Sequence, residues 1–458
     1  MIDIKNLTNG NIISELWRRG ELSYLLHPGQ IEYLQFIKQS KYIKNMLHCG
    51  RGWGKTWFFL CLSMEYAIKH PNSRIVYATQ TRESAKQIII PTYKMITLDV
   101  GESVRPKWKT QGHSIDFSNG STIVVEGADD DHGNKLRGAF AHMIICDELG
   151  FWSHPEYVVN HILLPQAQRV NGRVFMTSTT PESLGHEFYH FSSECKANGS
   201  YYKKTVYDNP RLTSQKIKEY AYQCGGEEST MFKREYLCED VVEETRKAIP
   251  EFRESMIIND DEPYPSHFSR FIFADLGFVD HTHIVWCYYD FFRAKFIVDD
   301  EVFVCNELTD RIAFLIKEKE KNYKFKCDGM YSDNDPQQLQ DLRINHGLFF
   351  VAKKQYDRSA SVNQLRIMFG NNKILVKKRC ANLIRQLMYG LTNKKGDDWE
   401  RIGGLGHLDG IDALRHGLPM CNINVNPFPV DIEKDNRMND IMERENRRKT
   451  GWDNLSDV

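Results

Sequence analysis

The stretch HCGRGWGKTW, residues 48–57, limits what this chain can fold into more than any other part of it. Glycines at 50, 52 and 54 suit neither a strand interior nor a helix interior, because each costs backbone entropy and adds no packing. An apolar run, YIKNMLHC (42–49), precedes them, and a helical pattern, KTWFFLCLSMEYAIKH (55–70), follows. In the order strand, glycine-rich turn, helix, the turn can aim successive backbone N–H groups inward while the helix N-terminus adds its dipole, which makes a cradle for phosphate. The usual spacing is G-x-x-x-x-G-K-[ST]. Counting back from Gly54-Lys55-Thr56, the first glycine position holds Cys49, and a glycine comes one residue later at Gly50. The three glycines still give the loop three flexible positions. The expected cradle is Gly50, Arg51, Gly52, Trp53, Gly54, Lys55 and Thr56, with Lys55 reaching the β- and γ-phosphates of ATP and Thr56 ligating Mg2+.

A second element narrows the chemistry. HMIICDE (142–148) is an apolar run that ends in two acids. Asp147 at its tip can hold the shell of the Mg2+ ion, and Glu148 can orient and deprotonate an attacking water. Alone, an Asp-Glu pair commonly just closes a strand with a polar turn. Behind a phosphate loop, in this chain order, it predicts ATP hydrolysis rather than simple nucleotide holding. Three further pieces are less specific. Gln30 in LHPGQIEYL either reads the adenine edge or is a surface glutamine after a Pro-Gly turn. TSTTP (177–181), with Thr179 at its centre, either senses the γ-phosphate through its hydroxyls or is a polar strand end. Arg137 in KLRGAF is the expected arginine finger, with Arg51 and Arg82 as rivals.

Around these motifs the first half alternates strands with helices. RIVYATQ (74–80) is followed by RESAKQIIIPTYKMI (82–96), a helix expected to break near Pro91. SIDFSNGSTIVVEGA (114–128) alternates about Asn119-Gly120 and predicts a hairpin, while HMIIC (142–146) and RVFMTST (173–179) predict buried strands. The pattern predicts a mostly parallel sheet covered on both faces. With 458 residues there is room for two or three domains, and no internal repeat is visible. Sixty basic residues against 61 acidic give a net charge of -1, so any DNA contact has to come from local basic patches. Eleven cysteines without a C-x-x-C pair indicate neither a zinc site nor a disulfide framework. The N-terminus lacks a signal-peptide pattern, and no run reaches the ~18–20 apolar residues that span a bilayer. A soluble intracellular chain with no membrane association is expected.

Composition shifts after FKREYLCEDVVEETRKAIPEF (232–252) into NDDEPYPSHF (259–268), where acids and prolines cluster. The expected domains are 1–245 and 269–425, joined by a linker at 246–268 and followed by a charged tail, 426–458, that is a mobile helix or disordered. The second domain restarts with RFIFADLGF (270–278), THIVWCYYDF (282–291) and KFIVDDEVFV (295–304), an antiparallel meander, and isolated strands follow at GMYSDN (329–334) and LFFVAKK (348–354). Acids fall where strands end, at Asp275 and Asp333. In HLDGIDALRHG, Asp409 and Asp412 are i and i+3 on a helix and share a face. Taken singly, each suits a cap or a turn. Brought together they can hold two hard Mg2+ or Mn2+ ions, and two such ions ~3.5–4 Å apart clamp the attacking and leaving oxygens of a phosphodiester. That order of acids predicts a ribonuclease-H-like nuclease. Asp280, Asp335 and Glu301 are weaker candidates. Lys353, Lys354, Lys377, Lys378, Arg379 and Arg385, interleaved with Phe349, Phe350 and Tyr356, either meet DNA phosphates or form a solvated face.

Together GRGWGKT, MIICDE, TSTTPE, FADLGFVDHT, YSDNDP and HLDGIDALRHGL, in this order, resemble the large terminase subunits of tailed bacteriophages over roughly residues 25–420. The resemblance implies an α/β chain with an N-terminal P-loop (RecA/ASCE-like) ATPase domain plus a C-terminal RNase H-like nuclease domain. It implies that Lys55, Thr56, Asp147 and Glu148 run ATP hydrolysis, that TSTTP couples hydrolysis to movement, and that Asp275, Asp333 and Asp412, with Asp409 beside them, cut DNA. The shortened, arginine-bearing loop is common in that family, which accounts for Cys49. The resemblance further implies a pentameric ring on the portal protein of an empty procapsid, in the cytoplasm of the infected bacterium and absent from the mature virion. A small terminase subunit would select the double-stranded viral DNA, and the nuclease would cut concatemers at initiation and termination. Two other readings remain: a helicase or repair ATPase fused to a nuclease, which needs a second RecA-like lobe, and a nucleotide-switch scaffold, which has no need of Glu148.

Overall fold

Eight short runs form the sheet of the first unit: β1 (Lys44–Cys49), β2 (Arg74–Thr79), β3 (Lys107–Lys109), β4 (Ser114–Asp116), β5 (Thr122–Gly127), β6 (Met143–Asp147), β7 (Arg173–Ser178) and β8 (Tyr201–Lys204), of which β1, β2, β6 and β7 are buried on both faces. The structure is a computed structural model. It describes residues 9–261, 268–277, 281–305, 307–323, 327–333, 335–352 and 357–423. The tail 426–458, linker residues 262–267, Asp280, Lys353, Lys354 and Tyr356 lie outside the described residues. The chain divides into two compact units, one built from residues up to Thr245 together with Arg401–Leu405, the other from Arg246–Glu400 together with the residues from Gly406 on.

The first sheet runs β3-β4-β5-β2-β6-β7-β1-β8. From β5 to β8 every neighbouring pair is parallel, while β3, β4 and β5 are antiparallel. Successive residues of a strand face opposite sides, so β1, β2, β6 and β7 each feed two cores. Leu47, Tyr77 and Ile145 enter one with Phe58 and Phe59 of the helix Lys55–Lys69; Met46, Val76, Ile144 and Met176 enter the other with Phe188 and Phe191. Each such buried side chain contributes roughly 1.5–3 kcal/mol. The expected hairpin forms between β4 and β5, and Gly120 takes the left-handed backbone (φ 83°) that its turn requires. The helix Arg82–Ile96 does not break at Pro91. Thr81 caps its start, and both Pro91 and Gln87, whose carbonyl loses its helical partner, are exposed, so water can serve that oxygen.

In the second unit, β9 (Ile257–Ile258), β10 (Arg270–Asp275), β11 (His281–Asp290), β12 (Lys295–Cys305), β13 (Gly329–Ser332), β14 (Phe350–Ala352) and β15 (Ile374–Lys377) form a sheet ordered β14-β13-β10-β11-β12-β15-β9. The meander β10-β11-β12 is antiparallel and all other pairs are parallel. Residues 246–258, within the stretch expected as linker, are built into this unit: Lys247 bridges Leu391, and Ile257 pairs with Val376 on β15, a strand the sequence reading did not include. The helix Asp409–Gly417 lies across β10, β11 and β13. Its last residue has to be glycine because a Cβ there would meet the Phe273 ring at 2.0 Å.

Candidate functional sites

The parallel order places β7 between the loop strand β1 and the acid-tipped strand β6, with Leu47 and Asp147 both in register with Thr177. Loop and acids therefore emerge at one carboxyl edge of the sheet, where open α/β sheets bind ligands. Gly54 caps the following helix in the left-handed region (φ 94°), and Gly52 is also left-handed (φ 82°). Cys49 is the last residue of β1 and is fully buried. The glycine is needed one step later, because a Cβ on residue 50 would lie 2.1 Å from the Tyr236 carbonyl oxygen. Close approach of another chain segment, not the turn itself, sets that position.

Lys55 Nζ lies 2.8 Å from a Glu148 carboxylate oxygen. Burial alone would lower the Lys55 ammonium, but Glu148, with Asp147 behind it, outweighs burial and holds it above its ordinary range. Thr56 Oγ1 donates to Asp147 Oδ2 at 3.0 Å, and Tyr77 donates to the same oxygen at 2.8 Å. Glu148 sits in the left-handed region (φ 55°, ψ 45°), a backbone state that costs a non-glycine residue about 1–3 kcal/mol and clusters at functional sites. Thr179 brings its N–H to 3.5 Å from Glu148.

The other expected contributors are placed differently. Gln30 is buried: its amide donates to the Gly54 carbonyl at 3.0 Å and accepts from the His27 N–H, so it braces the loop. Trp53 is also buried, edge-on to His27 at 5.3 Å, and packs in the core. Arg137 is exposed and bonded to Asn134 and Tyr157, neither of them a loop residue. Arg82 is paired with Glu126 and Arg51 with Glu235, each through a short contact (2.6 and 2.8 Å). Tyr77 and Glu235 escaped the sequence reading; no motif marks either.

Burial, with the Glu148 charge next, raises the Asp147 carboxyl from its ordinary 3.8 to about 6. A carboxyl harder to ionise when folded binds its proton preferentially in the folded state. The resulting stabilisation is full below about pH 3.8 and is lost as pH rises through about 6. In EDTA, the thermal midpoint of the first unit in Asp147→Asn is therefore expected to fall less than wild type between pH 4.5 and 7. Parallel pH curves for the two proteins would contradict this assignment.

In the second unit Ala274 and Ser332 pair across parallel β10 and β13, so Asp275 and Asp333 leave adjacent strand ends, ~4.8 Å apart by strand spacing. Leu408, fully buried, turns through the left-handed region (φ 60°) and starts the helix that presents Asp409 and Asp412. Burial first, then the charges of Asp412, Asp333 and Asp409, push the Asp275 carboxyl well above the usual range, with Arg415 pulling the other way. All four expected acids thus share one electrostatic neighbourhood. Burial also raises Asp333, against hydrogen bonds from Ser332 and the Leu276 N–H. Among the described residues no three His, Cys, Asp or Glu side chains form a ready metal cage. Asp412 is turned aside, accepting from Trp399 Nε1 at 2.9 Å and Arg415 Nε at 2.8 Å. Both Trp399 and Arg415 were missed, although Arg415 stands at i+3 on the same helix. Asp335 caps the helix Pro336–His346, and Glu301 accepts from the buried His283 and from the Asn382 and Leu383 N–H groups. Lys377, expected on a basic surface, is instead buried against Asp299 at 2.5 Å because its strand lies inside the sheet.

Residues 46–254 match the family model described as terminase large subunit, T4likevirus-type, N-terminal. Over that stretch, a little under half of its length, the chain is similar to a large-terminase N-terminal domain. Among solved structures it is similar to the HK97 bacteriophage large terminase, at 14% identity and TM-score 0.55, over 91% of this chain and 100% of that one. The large terminase ATPase domain of Thermus phage P74-26 is matched at 19% identity and TM-score 0.37 over 48% and 96%. The P22 large terminase nuclease domain is matched at 12% and 0.32 over 37% and 89%. No curated protein matches the sequence. The HK97 likeness shows that the two-domain α/β fold of that protein extends across both units. No described helix is long and apolar enough to cross a membrane.

Proposed function

We propose that this terminase relative is a viral DNA-packaging motor: ATP hydrolysis in the first unit drives double-stranded DNA into a procapsid, and the second unit cuts concatemeric DNA at initiation and termination. The observation that carries the reading is the Lys55–Glu148 contact at 2.8 Å beside Thr56 and Asp147. Lys55 and Glu148 neutralise each other. A γ-phosphate drawing on Lys55 would weaken that hold and leave the Glu148 carboxylate to accept a proton from water. Thr56 and Asp147 offer hard oxygen donors 3.0 Å apart, which suits Mg2+. When bound, that ion would neutralise charge on the β- and γ-phosphates.

At the second site Asp275, Asp333, Asp409 and Asp412 supply oxygen donors only; burial first, then repulsion from the other three acids, raises Asp275, and that repulsion is the charge excess a divalent cation relieves. These four residues would hold Mg2+ or Mn2+; Asp412 would do so in exchange for Arg415. The meander in the second sheet speaks against the helicase reading, which requires a second RecA-like lobe. Partners on this reading are the portal protein, a small terminase subunit and further copies of this chain in a ring of five, working in the host cytoplasm and absent from the virion. The test is one preparation of the full chain assayed for ATP turnover, for plasmid cutting with Mn2+, and for ATP-dependent protection of DNA from added nuclease by portal-bearing procapsids. Both activities and protection are expected; forked-duplex unwinding without protection would restore the helicase.

A further inference from the structure

Glu235 lies in the helix Thr230–Leu237 with its side chain only 5% exposed. Three groups converge on its carboxylate: Arg51 Nε at 2.8 Å, Thr179 Oγ1 at 3.4 Å, and Nε of the buried Arg234 at 3.6 Å. The main chain reinforces the contact. The Arg51 N–H donates to the Glu235 carbonyl at 2.8 Å, and the neighbouring Tyr236 carbonyl is what forbids a side chain at residue 50. A buried carboxylate is costly unless it is paired and hydrogen-bonded, and this one draws its partners from the phosphate loop and from the tip of β7. Thr179 in turn touches Glu148, so the chain of contacts runs from the loop arginine to the expected base.

We propose that Glu235 is a positioning residue of the triphosphate site, fixing Arg51 and Thr179 relative to each other across the mouth of the loop. This rests on the ATPase reading above. Arg51 is a half-exposed cation on a long side chain, 53% exposed. An anionic partner fixes the direction of its guanidinium before phosphate arrives, which removes an ordering cost from the reaction. The carboxylate itself never touches phosphate; like charges would repel.

The test uses the full chain in Mg-ATP. Glu235→Gln is expected to lower kcat about tenfold or more while KM for ATP moves less than about threefold, because misplacement of groups near the chemistry costs rate before binding. Glu235→Asp, which keeps the charge and shortens the reach, is expected to recover part of the rate. Adding Arg51→Gln to Glu235→Gln is expected to cost no more than the worse single change, since the carboxylate acts through Arg51. Losses that multiply in the double variant, or an unchanged kcat in folded Glu235→Gln, overturn the proposal. If Glu235→Gln does not fold, Glu235→Asp with and without Arg51→Gln carries the same comparison. A wild-type chain without ATP turnover sinks the ATPase reading and this proposal together; normal wild-type turnover with an indifferent Glu235 sinks only the proposal.

Discussion

Lys55→Ala is expected to abolish ATP turnover, by about 10²- to 10³-fold or more, while metal-dependent plasmid cutting continues. The size follows from where the ammonium stands. It is buried, 2.8 Å from Glu148, and is the cation that offsets two adjacent carboxylates at the tip of β6. Its removal takes away the group that would meet the transferring phosphoryl charge. It also leaves Asp147 and Glu148 to repel each other, so the thermal midpoint of the first unit should drop at neutral pH. Glu148→Gln separates binding from chemistry: the amide keeps a contact with Lys55, so ATP binding should persist while turnover falls by about 10²- to 10⁴-fold. Binding and turnover are read by nucleotide fluorescence titration and phosphate release. Equal loss of ATPase and cutting in a folded Lys55→Ala would contradict two separate active sites.

The second large effect is expected at Asp275. Asp275→Asn should remove DNA cutting by at least about 100-fold, since a lost carboxylate ligand costs several kcal/mol of transition-state stabilisation. ATP turnover should stay at the wild-type level. Stability should move the other way. Burial and three neighbouring acids hold the Asp275 carboxyl well above its ordinary range, so the folded form prefers it neutral, and ionisation destabilises the fold as pH rises past the unfolded value. An uncharged amide mimics the neutral acid, and the variant's melting midpoint in EDTA at neutral pH is expected to equal or exceed that of wild type. Undiminished cutting by Asp275→Asn would place the nuclease elsewhere. Normal cutting loss with a collapsed melting midpoint would make the residue structural.

Legibility in the sequence tracked the range of the interaction. The loop, the strand before it and the helix after it follow from local rules: glycines that only a turn tolerates, an apolar run, and Gly-Lys-Thr at a helix start. The meander of the second unit was equally readable from its three β-rich runs. Pro91 misled because the rule against helix prolines assumes a carbonyl with no other partner, and this one faces water. Gln30 and Trp53 misled because residue type and position in a motif do not say which way a side chain points; both turn into the protein. Lys377 looked like one of a basic stretch, and only the strand order showed it to be interior.

By itself the sequence determined the devices whose parts are consecutive residues, the glycine-rich loop and the acid-tipped strand, because backbone geometry and residue type settle those within a few bonds. The tertiary structure alone decided what lies beside them. The backbone of Tyr236 closing on residue 50, Glu235 reaching Arg51, and Asp275 brought next to Asp333 by parallel pairing all depend on packing between segments far apart in the chain. Hydrophobic burial brings such segments together, and it acts on whole faces of helices and sheets. No spacing along the chain encodes which two polar side chains then meet.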